Sequence, residues 1–164
     1  MDRIITESGM DFIAKNSFHI ENSALFTQLG EGIKSVEFIR IMESRLLFIE
    51  AKTTFPNPNT PSTTNSDRFH DEIGDIRDKF IHSLNALSSV EVGVSQSGFD
   101  GSIKLPKRVT LEFWLVIRKH ESAWCRSIEN ALMEAFPLYL KKIWRPTIFV
   151  INRECAVKKG LIVR

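Results

Sequence analysis

Between Asp67 and Val90 apolar residues recur at Phe69, Ile73, Ile76, Phe80, Leu84 and Leu87. Spacings of three and four gather them on one stripe, so the pattern predicts an amphipathic helix. Asp71, Glu72, Asp75, Asp78 and Lys79 fill its other faces, and Ser66 is placed to cap its start. A second helix is predicted after Ser122, with Trp124, Ile128, Leu132, Ala135 and Phe136 on one side. Pro137 kinks or restarts it, and Leu140 and Ile143 would extend the stripe. Arg153 to Lys159 reads as a short closing helix ended by Gly160. Thr110–Arg118 and Thr147–Asn152 are apolar almost throughout, as strands buried on both faces are. Their alternation with helices implies parallel pairing through crossovers. Ser17–Leu29 reads as strand first and a turn of helix after.

Two further strands, Ile33–Met42 and Arg45–Thr54, flank Glu43-Ser44 and predict a tight antiparallel hairpin. A two-residue loop sets the register: Ile41 faces Leu46, Ile39 faces Phe48, Glu37 faces Glu50 and Ser35 faces Lys52. Side chains alternate along a strand, so Glu37, Glu50 and Lys52 share a face with Ile39, Ile41, Leu46 and Phe48. Loops are expected over Thr53–Ser66, with three prolines, and from Glu91 to Pro106, with Gly93, Gly98 and Gly101. Neither separates two halves able to form cores. The expectation is one α/β domain over residues 1–164: a mixed β-sheet with an N-terminal antiparallel hairpin, crossover helices and parallel C-terminal strands.

Composition narrows the class. At 164 residues, 43% hydrophobic and 26% charged, the chain is ordinary for a globular fold. No apolar run reaches the roughly 20 residues of a membrane span, the first residues lack a signal-peptide layout, and a cytoplasmic protein without a membrane partner is expected. Cys125 and Cys155 read as reduced buried thiols. Charge is unevenly spread: residues 1–103 hold 9 Lys+Arg against 15 Asp+Glu, whereas residues 104–164 hold 13 against 5. The basic half would attract nucleic-acid phosphate if its charges share a face; otherwise the two halves neutralise each other.

The opposed acids carry the chemistry. Carboxylates about 5 Å apart at Cβ repel unless one takes up a proton or a cation bridges them. Mg²⁺ or Mn²⁺ would satisfy both. Lys52 would then hold a phosphate oxygen or orient water, a set suited to phosphodiester hydrolysis. The alternative is an exposed cross-strand Glu–Lys network.

An acid on one strand, a hairpin, then Glu50-Ala51-Lys52 ending the next resembles the PD-(D/E)XK nuclease superfamily, whose fold is restriction-endonuclease-like. The resemblance implies Glu37 and Glu50 as metal ligands and Lys52 as the catalytic lysine. It also implies a further acid on an initial core helix, for which Glu21 or Glu31 stands. Where the family usually has Asp, often after Pro, this chain has Val36-Glu37. The implied activity is metal-dependent cleavage of nucleic acid. The alternatives are a non-catalytic nuclease-like module of a bacterial multi-protein system, as an oligomer or partner subunit, and a sequence-nonspecific nucleic-acid binder. The four histidines and two cysteines form no metal signature. His120 reads as an exposed strand-end residue, Cys125 as an inert thiol, and Trp114, Trp124 and Trp144 as packing residues.

Overall fold

The structure, a computed structural model, describes residues 3–60, 63–95 and 104–164. Strands β3 (Ser17–His19), β4 (Phe38–Met42), β5 (Arg45–Lys52), β6 (Thr110–Ile117) and β7 (Thr147–Asn152) form one mixed sheet in that order. β3, β4 and β5 pair antiparallel, and β5, β6 and β7 pair parallel. Helices α2 (Thr63–Glu91) and α3 (Ser122–Ala135) make the two crossovers. A separate hairpin, β1 (Ile4–Glu7) and β2 (Met10–Ile13), α1 (Ala24–Leu29) and α4 (Arg153–Lys158) complete the set.

The central strands are apolar on both sides because both sides are covered. On one, Phe48, Phe113 and Leu115 meet Ile76, Phe80 and Leu84 of α2 and Ile128 and Leu132 of α3. Phe80 stacks on Phe113 at 4.5 Å between centroids. On the other, Phe38, Ile49 and Trp114 meet the β1–β2 hairpin and α4. Trp114 stacks on Phe149 at 4.0 Å and donates its indole N–H to Glu112, which Arg45 also clasps with two hydrogen bonds.

The β4–β5 register is the expected one, with Ile41 opposite Leu46 and Ile39 opposite Phe48. The strand before the turn is shorter than the Ile33–Met42 pattern suggests. Its first residues leave the sheet because α2 takes their backbone donors: Lys34 N–H donates to His82 Nδ1 and Val36 N–H to Ser83 Oγ, both at 2.9 Å. The ladder therefore ends at Phe38 and Ile49, with one further bond from Glu37 N–H to Ile49 O. Ser35 and Lys52 are not a ladder pair.

Other boundaries moved for local reasons. β5 stops at Lys52 and β6 at Ile117, where Arg118 N–H donates to Lys52 O. α2 begins a turn before Ser66, which lies inside the helix with its carbonyl bonded to His70. In the following loop, Gly98 and Gly101 lie outside the described residues. The mixed reading of Ser17–Leu29 resolves into β3 and α1, the latter capped by Ser23 Oγ accepting from Phe26 N–H. Hairpin β1–β2 was not anticipated: Ser8 and Gly9 both have positive φ, 51° and 71°, as a two-residue hairpin turn requires.

Past Pro137 the chain makes a π-helical turn, Leu140–Trp144. Its i→i+5 bond, Arg145 N–H to Leu140 O, rotates Ile143 outward, so Leu140 joins the core and Ile143 does not. Trp144 is likewise exposed, Trp124 half-buried and Trp114 buried. Cys125 is buried and Cys155 only half-buried; both are free thiols. Burial pushes the Cys125 thiol up to about 11, which keeps it protonated and inert. His120 is half-buried rather than exposed, edge-on to Trp124 at 5.1 Å, and burial lowers its pKa.

Candidate active site

The C-terminal ends of β5 and β6 converge with the start of β4 and the turn of the β1–β2 hairpin, whose Ser8 Oγ donates to Ala51 O at 3.1 Å. Ligand crevices in open α/β sheets form at such strand ends. Here β5, apolar from Leu46 to Ile49, is interrupted by Glu50, whose accessibility is 0%. Period-2 alternation turns Glu50 towards α2, where Lys79 Nζ meets its Oε1 at 2.6 Å. The other oxygen, Oε2, is buried with no hydrogen-bond partner among the described residues. Desolvation raises the Glu50 pKa to about 7, against the opposing pull of Lys79 and Lys52.

Glu37 stands one step beyond the last β4–β5 pair, Phe38 with Ile49, and its N–H also bonds Ile49 O at 3.1 Å, so it is not a ladder partner of Glu50. Val36 and Ile39 both enter the α2-side core, so strict alternation breaks at this point, contrary to a simple shared face. Burial, a hydrogen bond with the Glu21 carboxyl and the charge of Glu50 push the Glu37 pKa up to about 9. Glu37 is therefore protonated at neutral pH, and the proton is what lets two carboxyls share a hydrogen bond. Glu7 of the hairpin adds to the same repulsion. Of the two acids offered for an additional role, Glu21 joins the site; Glu31 is exposed beyond α1 and is not among the groups acting on Glu37.

Lys52 lies at the same strand end, but its ammonium reaches α2: Glu72 at 3.2 Å and Asp75 at 3.8 Å. Asp75 also pairs with Lys34 at 2.9 Å. Burial opposes ionisation of Asp75, yet Lys34, Lys79 and Lys52 outweigh it and hold the carboxyl below its usual range. The structure thus brings Glu37, Glu50 and Lys52 into one charged cluster and adds Glu21, Lys79, Glu72 and Asp75. The helix contribution had a signal: positions 72, 75 and 79 follow helical spacing and form a polar row beside the apolar stripe.

Among the described residues, no group of three or more His, Cys, Asp or Glu side chains is arranged to hold a metal ion. The donor set is instead Glu37 with Glu50, and the unpartnered Glu50 oxygen is the observation that fits a cation. Mg²⁺ is commonly bound through one or two carboxylates, with water and substrate phosphate completing its shell. Basic residues lie at both ends of the sheet. Arg118 and Lys119 follow β6 at the candidate site, with backbone N–H groups bonded to Lys52 O and Thr53 O, whereas Lys141, Lys142 and Arg145 precede β7 at the sheet's other end.

No protein-family model, no curated protein and no solved structure matches this chain.

Proposed function

We propose that the chain is a Mg²⁺- or Mn²⁺-dependent phosphodiesterase of the PD-(D/E)XK type that cleaves nucleic acid. One observation carries the reading: Glu50, wholly buried and with one oxygen unpartnered, acts electrostatically on a neighbouring Glu37 carboxyl that burial, Glu21 and Glu50 together keep protonated. A structural sheet gains nothing from such a pair. The order of elements supports it too. An antiparallel β3–β4–β5 meander, a crossover helix and the parallel strand β6 follow in the order that the resemblance to a restriction-endonuclease-like core leads one to expect.

Glu37 and Glu50 would hold the metal, and Glu37 must give up its proton to do so. When bound, the metal supplies Lewis acidity and a water acidic enough to attack at neutral pH. Lys52, held to α2 by partly exposed ion pairs worth little in water, is free to turn to a phosphate oxygen. Arg118 and Lys119, exposed at the same sheet end, would bind flanking phosphates.

A second reading, a non-catalytic partner subunit of a bacterial multi-protein system, is favoured by a different observation. Lys79 already neutralises Glu50, and Lys52 already has Glu72 and Asp75. Incubation with DNA and RNA in Mg²⁺ or Mn²⁺, alongside melts with and without Mn²⁺, separates the two. The enzyme should cut, gain stability from Mn²⁺, and lose cleavage on Glu37→Ala, Glu50→Ala or Lys52→Ala. No cleavage and an unmoved melt would leave the partner-subunit reading. Salt-sensitive nucleic-acid binding that persists in EDTA would indicate a binder instead.

A further inference from the structure

At the N-terminal ends of β6 and β7, opposite the acidic site, the surface is apolar and basic together. The turn after α3 exposes Leu138 (64%), Tyr139 (48%), Ile143 (73%) and Trp144 (40%). Isolated apolar side chains on a surface need no explanation, but four within seven positions make a patch. The patch is held rigidly. Leu140, fully buried, anchors the turn from beneath, and Arg145 closes it in the left-handed region at φ 48°. Lys141, Lys142 and Arg145 are interleaved with the apolar groups, and no acid occurs from Phe136 to Asn152. Because β6 and β7 are parallel, with Glu112 opposite Thr147, the residues leading into β6 lie at this same end. They contribute exposed Lys107, Arg108 and Val109. Of the acids near this end, Glu112 is neutralised by Arg45, and Glu43 and Glu134 flank the patch on the β4–β5 turn and the last turn of α3.

From this arrangement we infer that the N-terminal end of the parallel strands docks on an anionic phospholipid surface. Tyr and Trp suit the headgroup level, where one edge is apolar and the other wet. Lysine stems lie along apolar surface while their ammonium groups meet lipid phosphate and carboxylate. A second copy is a poorer occupant, since a two-fold contact would set Lys141, Lys142 and Arg145 against their own images. Nucleic acid is poorer too: Leu138 and Ile143, the most exposed of the four, have no π-face on which a base could stack. The expectation of no membrane partner rested on the lack of a span. No helix among the described residues is long and apolar enough to cross a bilayer, but a surface contact requires none.

The test is co-sedimentation of the whole chain with vesicles of phosphatidylcholine containing roughly 30% phosphatidylserine, against phosphatidylcholine alone. The protein should sediment with the mixed vesicles and far less with the neutral ones. Its tryptophan emission should shift to the blue, and Trp144→Phe should remove that shift while buried Trp114 still emits. Losing two cations in a Lys141→Gln/Lys142→Gln variant should weaken binding about 30-fold. Ile143→Ser should weaken it about 10-fold, with circular dichroism unchanged because the side chain is exposed. The inference fails if the folded wild type stays in the supernatant with mixed vesicles, or binds both vesicle types equally. It also fails if the two variants instead abolish oligonucleotide binding or a concentration-dependent dimer, leaving vesicle binding intact.

Discussion

Replacing Glu50 by glutamine should make the protein more stable at pH 8. The wild-type carboxyl is fully buried, and its pKa is raised from an ordinary 4.5 to about 7. An acid whose pKa is raised by folding binds its proton more tightly in the native state. Its penalty is therefore absent below pH 4.5, grows as pH rises through 7, and is constant beyond. At 1.36 kcal/mol per pKa unit, the full penalty is about 3 kcal/mol. Glutamine matches the protonated carboxyl in shape and never ionises. Lys79 would keep the charge of Asp75 nearby. The difference in stability between Glu50→Gln and wild type should thus be near zero at pH 4.5 and approach 3 kcal/mol in the variant's favour at pH 8. For a chain of this size that corresponds to roughly 6–12 °C in Tm. Urea titrations at half-unit pH steps give the difference curve directly, and the contributions of all other titrating groups largely cancel in it. A flat curve, or a variant less stable than wild type at pH 8, would refute the burial argument and with it the strained site.

Two substitutions probe the supports of that carboxylate. Lys79→Met should destabilise by about 1.4 kcal/mol at pH 8, one unit above the Glu50 pKa of about 7, because without its ammonium Glu50 takes up a proton instead, and by almost nothing at pH 5, where Glu50 is already neutral; equal losses in urea unfolding at both pH values would exclude the ion pair as the cause. Ser83→Ala leaves the buried Val36 N–H without its acceptor, so about 1–3 kcal/mol should be lost at every pH, together with any Mn²⁺-induced rise in the melt, since Val36 fixes the segment that presents Glu37.

What could be read from the sequence was whatever depends on short-range periodicity. A two-residue loop and a period of two were enough for the β4–β5 register from Met42 with Arg45 to Phe38 with Ile49, though not for the opposition of Glu37 and Glu50, and the stripe from Phe69 to Leu87 placed α2 against the sheet. What escaped depended on contacts distant in the chain. Nothing near Ile33 announces that His82 and Ser83 will take its neighbours' backbone donors, so the pattern implies a longer strand than β4 forms. Lys79 stands among the polar residues of α2, and only the packing of α2 on β5 makes it the partner of Glu50, 29 positions earlier. The β1–β2 hairpin was legible in principle. Ile5, Met10 and Phe12 are its buried positions around the Ser8-Gly9 turn, but strands of four residues give a weak signal.

The position of Glu50 argues that the cost is retained for a reason outside the fold. β5 is sheltered by α2 on one face and by the β1–β2 hairpin on the other, and its neighbours Leu47, Phe48, Ile49 and Ala51 are all apolar and buried. A leucine at position 50 would fill similar space and need no counter-ion. Glutamic acid there requires Lys79 from a different element, leaves one oxygen unpartnered, and raises the electrostatic penalty on Glu37. Buried ion pairs rarely repay their desolvation. They are expected where a strained arrangement does chemical work, at sites whose residues lower stability and perform a task. The strain here is concentrated at the C-terminal end of a parallel strand, where a crevice can admit a ligand. A divalent cation between Glu37 and Glu50 would relieve both the repulsion and the orphaned oxygen at once, which neither a proton nor the single ammonium of Lys79 does.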